Sequence, residues 1–186
     1  MESFPRTDHP LSLRQILVGL RAPIFLALLL FFAGFAYGYL NPTVAEPWME
    51  QLEELAEGLH GASPLTIFIT IFINNSLTAG LSILLGPFLG ILPAVSAVVN
   101  GGLLGIVALR HGEELWKIIP HGIFELPAVF LAWGLGFWCA GALLSHSRLH
   151  VLKVRMKAGL DLYVRLIVPL LFIAAMIETA AILFLP

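Results

Sequence analysis

Charge is what this sequence has least of. Of its 186 residues only 12% are charged, with 10 Lys and Arg against 12 Asp and Glu. An ordinary water-soluble domain carries about a quarter charged residues. So few charges cannot cover a surface in water, and 59% of the residues are hydrophobic, with a mean hydropathy of +0.92. The bilayer is therefore the natural solvent. Cysteine is nearly absent as well. The single Cys139 excludes an intrachain disulfide framework and reads as a small core residue in an apolar stretch. There is no basic tail and no Gly-rich phosphate loop of the required form, so no nucleic-acid partner is expected. No G-x-S-x-G string occurs, which leaves Ser/His/Asp-type catalysis without support.

What is present is a series of long apolar runs. Crossing the hydrocarbon core takes about 20 apolar residues. Runs of that kind fall at about 23–40, 64–85, 91–109, 119–144 and 166–185. The first follows Arg14 and Arg21, but it is longer than a signal-peptide core and has no clear cleavage site, so it reads as a retained helix. Pro23 suits a first helical turn. Residues 86–93, with Gly86, Pro87 and Pro93, fit a short break or a re-entrant turn shielded by protein. No polar linker is long enough to divide the chain. The expectation is one all-α membrane domain over 1–186, a polytopic bundle of about five transmembrane helices.

Two connecting segments have helical apolar stripes. Trp48, Leu52, Leu55 and Leu59 recur in the acidic segment 46–60, and Leu149, Leu152, Met156, Leu160 and Tyr163 recur in the basic segment 149–165. The second resembles an interfacial helix on an anionic leaflet. Lys and Arg gather before the first run and between the fourth and fifth. Five spans place both groups on one side, which the positive-inside bias makes cytoplasmic. The expected topology is N-terminus in, C-terminus out, in the cell membrane, with Glu46, Glu50, Glu53, Glu54 and Glu57 outside.

Against this background a few residues stand out as costly. Charged side chains at bilayer depth are rare and usually face protein or water. Glu125 and Glu178 are carboxylates inside expected spans, and Asn74, Asn75 and Asn100 are the strongest neutral insertions. His121 lies four residues before Glu125, on the same helical face. At about 1.5 Å per residue, Asn74, Asn75, Glu125 and Glu178 converge on one depth in the outer half of the bundle. His121 falls at the rim and Asn100 nearer the midplane. Small residues accompany them: Gly101, Gly102 and Gly105 after Asn100, Ala132 and Gly136 beyond Glu125, and Ala174 and Ala181 beside Glu178. This pattern suits close packing with interhelical hydrogen bonds. Three readings follow. The cluster is polar glue, or an ion- or proton-coupled pathway, or a metal site of His121, Glu125 and Glu178. A His/Glu pair at this spacing lacks the second histidine of H-E-x-x-H, so the metal reading is the weakest, and no cofactor is expected.

The motifs also carry a family resemblance. Pro120-His121-Gly122-Ile123-Phe124-Glu125-Leu126-Pro127 resembles the signature of the stage II sporulation protein M family. So do Phe72-Ile73-Asn74-Asn75, Asn100-Gly101 with Gly105, and Ile177-Glu178 after an alanine-rich run, in the same order. The resemblance covers about residues 64–186 and implies a five-span prokaryotic membrane protein. The founding member is a membrane scaffold in an engulfment complex with cell-wall-degrading partners. A non-enzymatic scaffold with envelope or cell-wall-remodelling partners is therefore the leading functional expectation. An ion- or proton-coupled transporter or channel is the alternative, and an intramembrane metalloenzyme a minor one. Gly34 and Gly38, in G-x-x-x-G spacing, admit a homo-oligomer as well as packing within the chain.

Overall fold

The computed structural model describes residues 11–43, 46, 47, 49, 50, 54, 58 and 61–184, except the side chains of 114, 115, 117 and 118. Among them there is no strand. The elements are α1 (Leu13–Leu40), α2 (Pro64–Leu84), α3 (Ile91–Arg110), α4 (Leu115–Ala140), α5 (Arg148–Leu162) and α6 (Val168–Phe184). Short 3-10 turns flank α4 at Gly112–Glu114 and Gly141–Leu144, and a π-helical turn, Tyr163–Ile167, joins α5 to α6. Five helices are long and apolar enough to cross a membrane, counting Arg148–Phe184 as one.

Neighbouring contacts give the directions. Gly34 abuts Val98 and Gly38 abuts Gly102, so α1 and α3 run parallel. Gly19 meets Trp138 and Gly134 meets Ile24, so α4 runs against α1. Phe172 sits edge-on to Phe68 and Phe72, while Tyr163 approaches Gly80, so α6 runs against α2. The bundle thus alternates direction along the chain.

Two boundaries differ from the apolar runs. α1 begins at Leu13 rather than Pro23. Ser12 and Gln15 form a capping box there, which satisfies two of the orphan N–H groups of a helix start. Ile16 and Leu20 are buried on this first stretch, so the helix is held by one face, while Arg14, Leu17, Val18 and Arg21 are exposed. Pro23 consequently lies within the helix. The second difference is that the basic segment is no separate connector. It continues into the last span through the π turn, where the Val168 N–H bonds back to the Tyr163 carbonyl. Proline lacks an N–H and its ring crowds the carbonyl four residues earlier. The wider turn just before Pro169 accommodates this without ending the helix. The expected stripe is also rotated. Leu149 is exposed, whereas Val151 and Gly159 are buried.

Arg155 explains much of how α5 sits. Its Nη1 donates to the Trp138 carbonyl at 2.6 Å, and its guanidinium lies 5.1 Å from the Trp138 ring centroid. Trp138 is in the last turn of α4, where carbonyls lack intrahelical donors. A basic side chain there caps the helix end and its dipole. Nearby, the Tyr163 hydroxyl donates to the Ser76 carbonyl at 2.8 Å. Tyr163→Phe is expected to cost about 1 kcal/mol, read as a modest fall in detergent melting temperature with the elution profile unchanged.

Residues 85–90 form a tight apolar turn between α2 and α3, with Leu89 at φ 57° and Gly90 at φ 69°. Its Gly86 lies on the backbone of Gly136, so the turn is packed on α4. Cys139 is buried, as its apolar setting implied. Of the segment 46–60, Met49 packs on Ile106 and Glu46 pairs with Arg110 at 2.9 Å. Trp48, Leu52, Leu55 and Leu59, the stripe read in that segment, lie outside the described residues.

Candidate functional site

The polar intramembrane residues share one cavity. It has a volume of about 360 Å³, and Asn74, Asn75, Asn100, His121, Glu125 and Glu178 all line it. Four helices contribute them: α2 brings two asparagines, α4 the histidine and first glutamate, and α6 the second glutamate. α3 adds Asn100 from the side of the glycine-packed pair.

Local sequence explains the presentation. On α4, His121 and Glu125 stand one turn apart on one face. Pro120 and Pro127 bracket them. Each proline removes a helical N–H donor, a feature tolerated in membrane helices where neighbouring protein or a cavity takes up the freed group. On α6, Glu178 follows the buried Ala174 and Ala175 and precedes the buried Thr179. These small residues let α6 approach α4 closely. Thr179 is satisfied on its own helix by the Ala175 carbonyl.

One ligand atom from each of His121, Glu125 and Glu178 lies within 4.8 Å of the other two. Asn75 Nδ2 donates to Glu125 Oε1 at 3.3 Å, so Asn75 rather than Asn74 makes the direct contact with the carboxylate. Asn74 still faces the cavity, and its carbonyl accepts from Thr78 Oγ1. Asn100 donates to the Ser96 carbonyl on its own helix. His121 Nδ1 is buried with no hydrogen-bond partner among the described residues. No Lys or Arg lines the cavity among the described residues.

Aromatic residues close the other side. Phe31 and Trp133 line the cavity, Phe130 stacks edge-on against both, and Phe31 and Trp133 are almost wholly buried. Sequence reasoning did not single out this side, because a Phe or Trp in an apolar span carries no local mark of its depth. It also missed Thr70, which lines the chamber one helical turn before Asn74, because a threonine in a span costs too little to stand out.

Comparison with known proteins agrees with this architecture. A curated relative, an uncharacterized protein of Methanocaldococcus jannaschii, is 29% identical over 98 residues, covering 52% of this chain and 44% of the relative. The matched stretch thus spans less than half of that protein's length. No solved structure matches the chain. The profile of the family described as Stage II sporulation protein M matches residues 16–181, from the first turn of α1 almost to the end of α6. The five-span bundle carrying the PHG-x-x-E-x-P string on α4 therefore belongs to the stage II sporulation protein M family.

Proposed function

We propose that the bundle is a non-enzymatic, ion-coupled membrane protein, a transporter or channel that admits a cation to the Glu125–Glu178 cavity. One observation carries this reading: the polar side chains face a chamber more than they face each other. Polar residues that serve only as glue pair across helix interfaces. Here the cavity's side chains make a single cross-helix bond among the described residues, Asn75 to Glu125. A carboxylate at bilayer depth costs at least ~2.5 kcal/mol and tends to mark an ion pathway. No Lys or Arg lines the cavity among the described residues, so a bound proton or cation is the compensation that this reading supplies.

By the Lys/Arg distribution, the amino terminus is cytoplasmic and the cavity lies in the outer half of the cell membrane. The test is flux across vesicles reconstituted with the purified protein, under ion and pH gradients. Glu125→Gln and Glu178→Gln should each reduce flux at least tenfold while eluting like the parent protein. Absence of flux from well-folded protein across a panel of alkali, divalent and proton gradients would sink the transport reading.

Family membership favours a second reading, a scaffold in a membrane or envelope complex with cell-wall-remodelling partners. Extraction in mild detergent should then recover a stoichiometric envelope partner, and the Gln variants should leave that recovery intact.

A further inference from the structure

We propose that His121, Glu125 and Glu178 hold one divalent first-row transition-metal cation of the Mn²⁺ to Zn²⁺ kind. The inference rests on the reading that the cavity takes a cation, and it names which. The two helices that supply the ligands form opposed jaws. α4 offers His121 and Glu125 on consecutive turns, and α6, packed beside it, offers Glu178. Their ligand atoms already lie within 4.8 Å of one another. Ligands about 2.1 Å from a tetrahedral ion stand about 3.4 Å apart, so side-chain movements of roughly an ångström bring the three to ligand distance and leave a fourth position for water.

A second, independent observation points to a ligand. His121 Nδ1 is buried without a hydrogen-bond partner among the described residues, in a wall of the same cavity. Buried polar nitrogens are normally satisfied, and one that is not calls for an ion, a water or a functional role. Charge agrees with geometry. Two carboxylates face the chamber and no Lys or Arg does so among the described residues. One divalent ion balances both.

The donor set selects the class of ion. Ca²⁺ and Mg²⁺ prefer shells made wholly of oxygen. An imidazole nitrogen with two carboxylates suits Mn²⁺ through Zn²⁺. Cys139 sits well beyond the cavity on α4 and does not line it, so no soft thiolate is offered to Cu⁺. Asn75, which donates to Glu125, has the place of an outer partner that orients a ligating carboxylate. Asn74 and Asn100 supply amide groups to the remaining space.

The experiment uses the full chain, purified in detergent without chelator, then stripped and dialysed against Mn²⁺, Co²⁺, Zn²⁺ or Mg²⁺. The expected result is one equivalent of bound transition metal per chain, with Mg²⁺ at least 100-fold weaker. Co²⁺ loading should give visible ligand-field absorption that His121→Gln alters. Glu178→Gln should weaken Zn²⁺ binding at least 100-fold, while His150→Ala, on the exposed surface of α5, leaves it unchanged. Sub-stoichiometric metal, equal Mg²⁺ binding, or unchanged affinity in Glu178→Gln would each overturn the proposal. If a glutamine variant fails to fold, wild-type stoichiometry and the Mg²⁺ comparison still decide. Flux without metal binding would overturn the metal site and leave ion coupling standing. Metal binding without flux would do the reverse.

Discussion

Gly101→Leu will separate α1 from α3 and leave little monodisperse protein in detergent. A Cβ at Gly101 would stand 2.0 Å from the Phe31 carbonyl oxygen, and one at Gly105 would stand 2.2 Å from that of Phe35. The pairing is reciprocal, because a Cβ added at Gly34 or Gly38 would likewise run into the backbone carbonyl of Val98 or Gly102. The obstacle is backbone on every side, so no rotamer change relieves it. Even an alanine must push the helices apart along their shared length. Overpacking a tight core costs about 1–3 kcal/mol, and a leucine placed between two helix backbones should reach or exceed the top of that range. The loss is compounded because close approach, rather than water exclusion, drives helix association in lipid. Gly122→Ala is the matched control. Its nearest neighbour is the flexible Leu126 Cδ1 at 3.9 Å, so helix propensity alone should make it neutral or slightly stabilising. Equal melting temperatures and yields for the two variants would refute the backbone-to-backbone contact.

That contact also settles how the first glycine pair is used. Gly34 and Gly38 are legible in the sequence as a close-packing face, and Gly101 and Gly105 repeat the same spacing four residues apart. Nothing in either string says that the two faces meet each other rather than a second copy of the chain. The structure joins them, so that face is already occupied within the protomer. Spans were legible because lipid demands continuous apolar length. The start of α1 was not, since residues 13–22 are held by one buried face and a cap, and a hydropathy run does not register either. The junction of α5 and α6 was hidden for a related reason. A basic, amphipathic segment reads as a surface connector, and only packing shows that Arg155 is spent on the end of α4.

The site was more legible than its bonding. Burying Asn or Glu in lipid is costly enough that each such residue announces itself, and alternation of helix direction then fixes their depth. All six singled-out residues do line one cavity. Which asparagine reaches Glu125 depends on helix rotation by about 100° per residue, too fine for a depth argument. Asn74 and Asn75 are equally marked by depth, and it is Asn75 that makes the bond.

Glu125→Lys combined with Glu178→Gln will be far more damaging than either change alone. Glu125 and Glu178 face each other across the cavity. In the single Glu125→Lys variant the introduced ammonium meets the remaining carboxylate, and opposite charges a few ångströms apart in a poorly solvated site offset much of their desolvation. That variant should keep the bundle and lose its affinity for cations, because the cavity's net charge is cancelled from within. Glu178→Gln alone removes one carboxylate and leaves the packing volume nearly unchanged. Together the two changes leave an ammonium with no anionic partner at bilayer depth, a cost of at least ~2.5 kcal/mol, and the surrounding side chains that remain are amides, an imidazole, the Thr70 hydroxyl and apolar groups. The coupling should appear in a double-mutant cycle as roughly 2 kcal/mol or more beyond the sum of the single effects, measured by thermal or denaturant unfolding in detergent. Glu50→Lys, at an exposed position on the acidic connection, should be near neutral and show no coupling to Glu178→Gln. Additive effects of the two cavity changes would mean that the carboxylates do not share one chamber, and both the ion-coupled reading and the metal site would fall with that result.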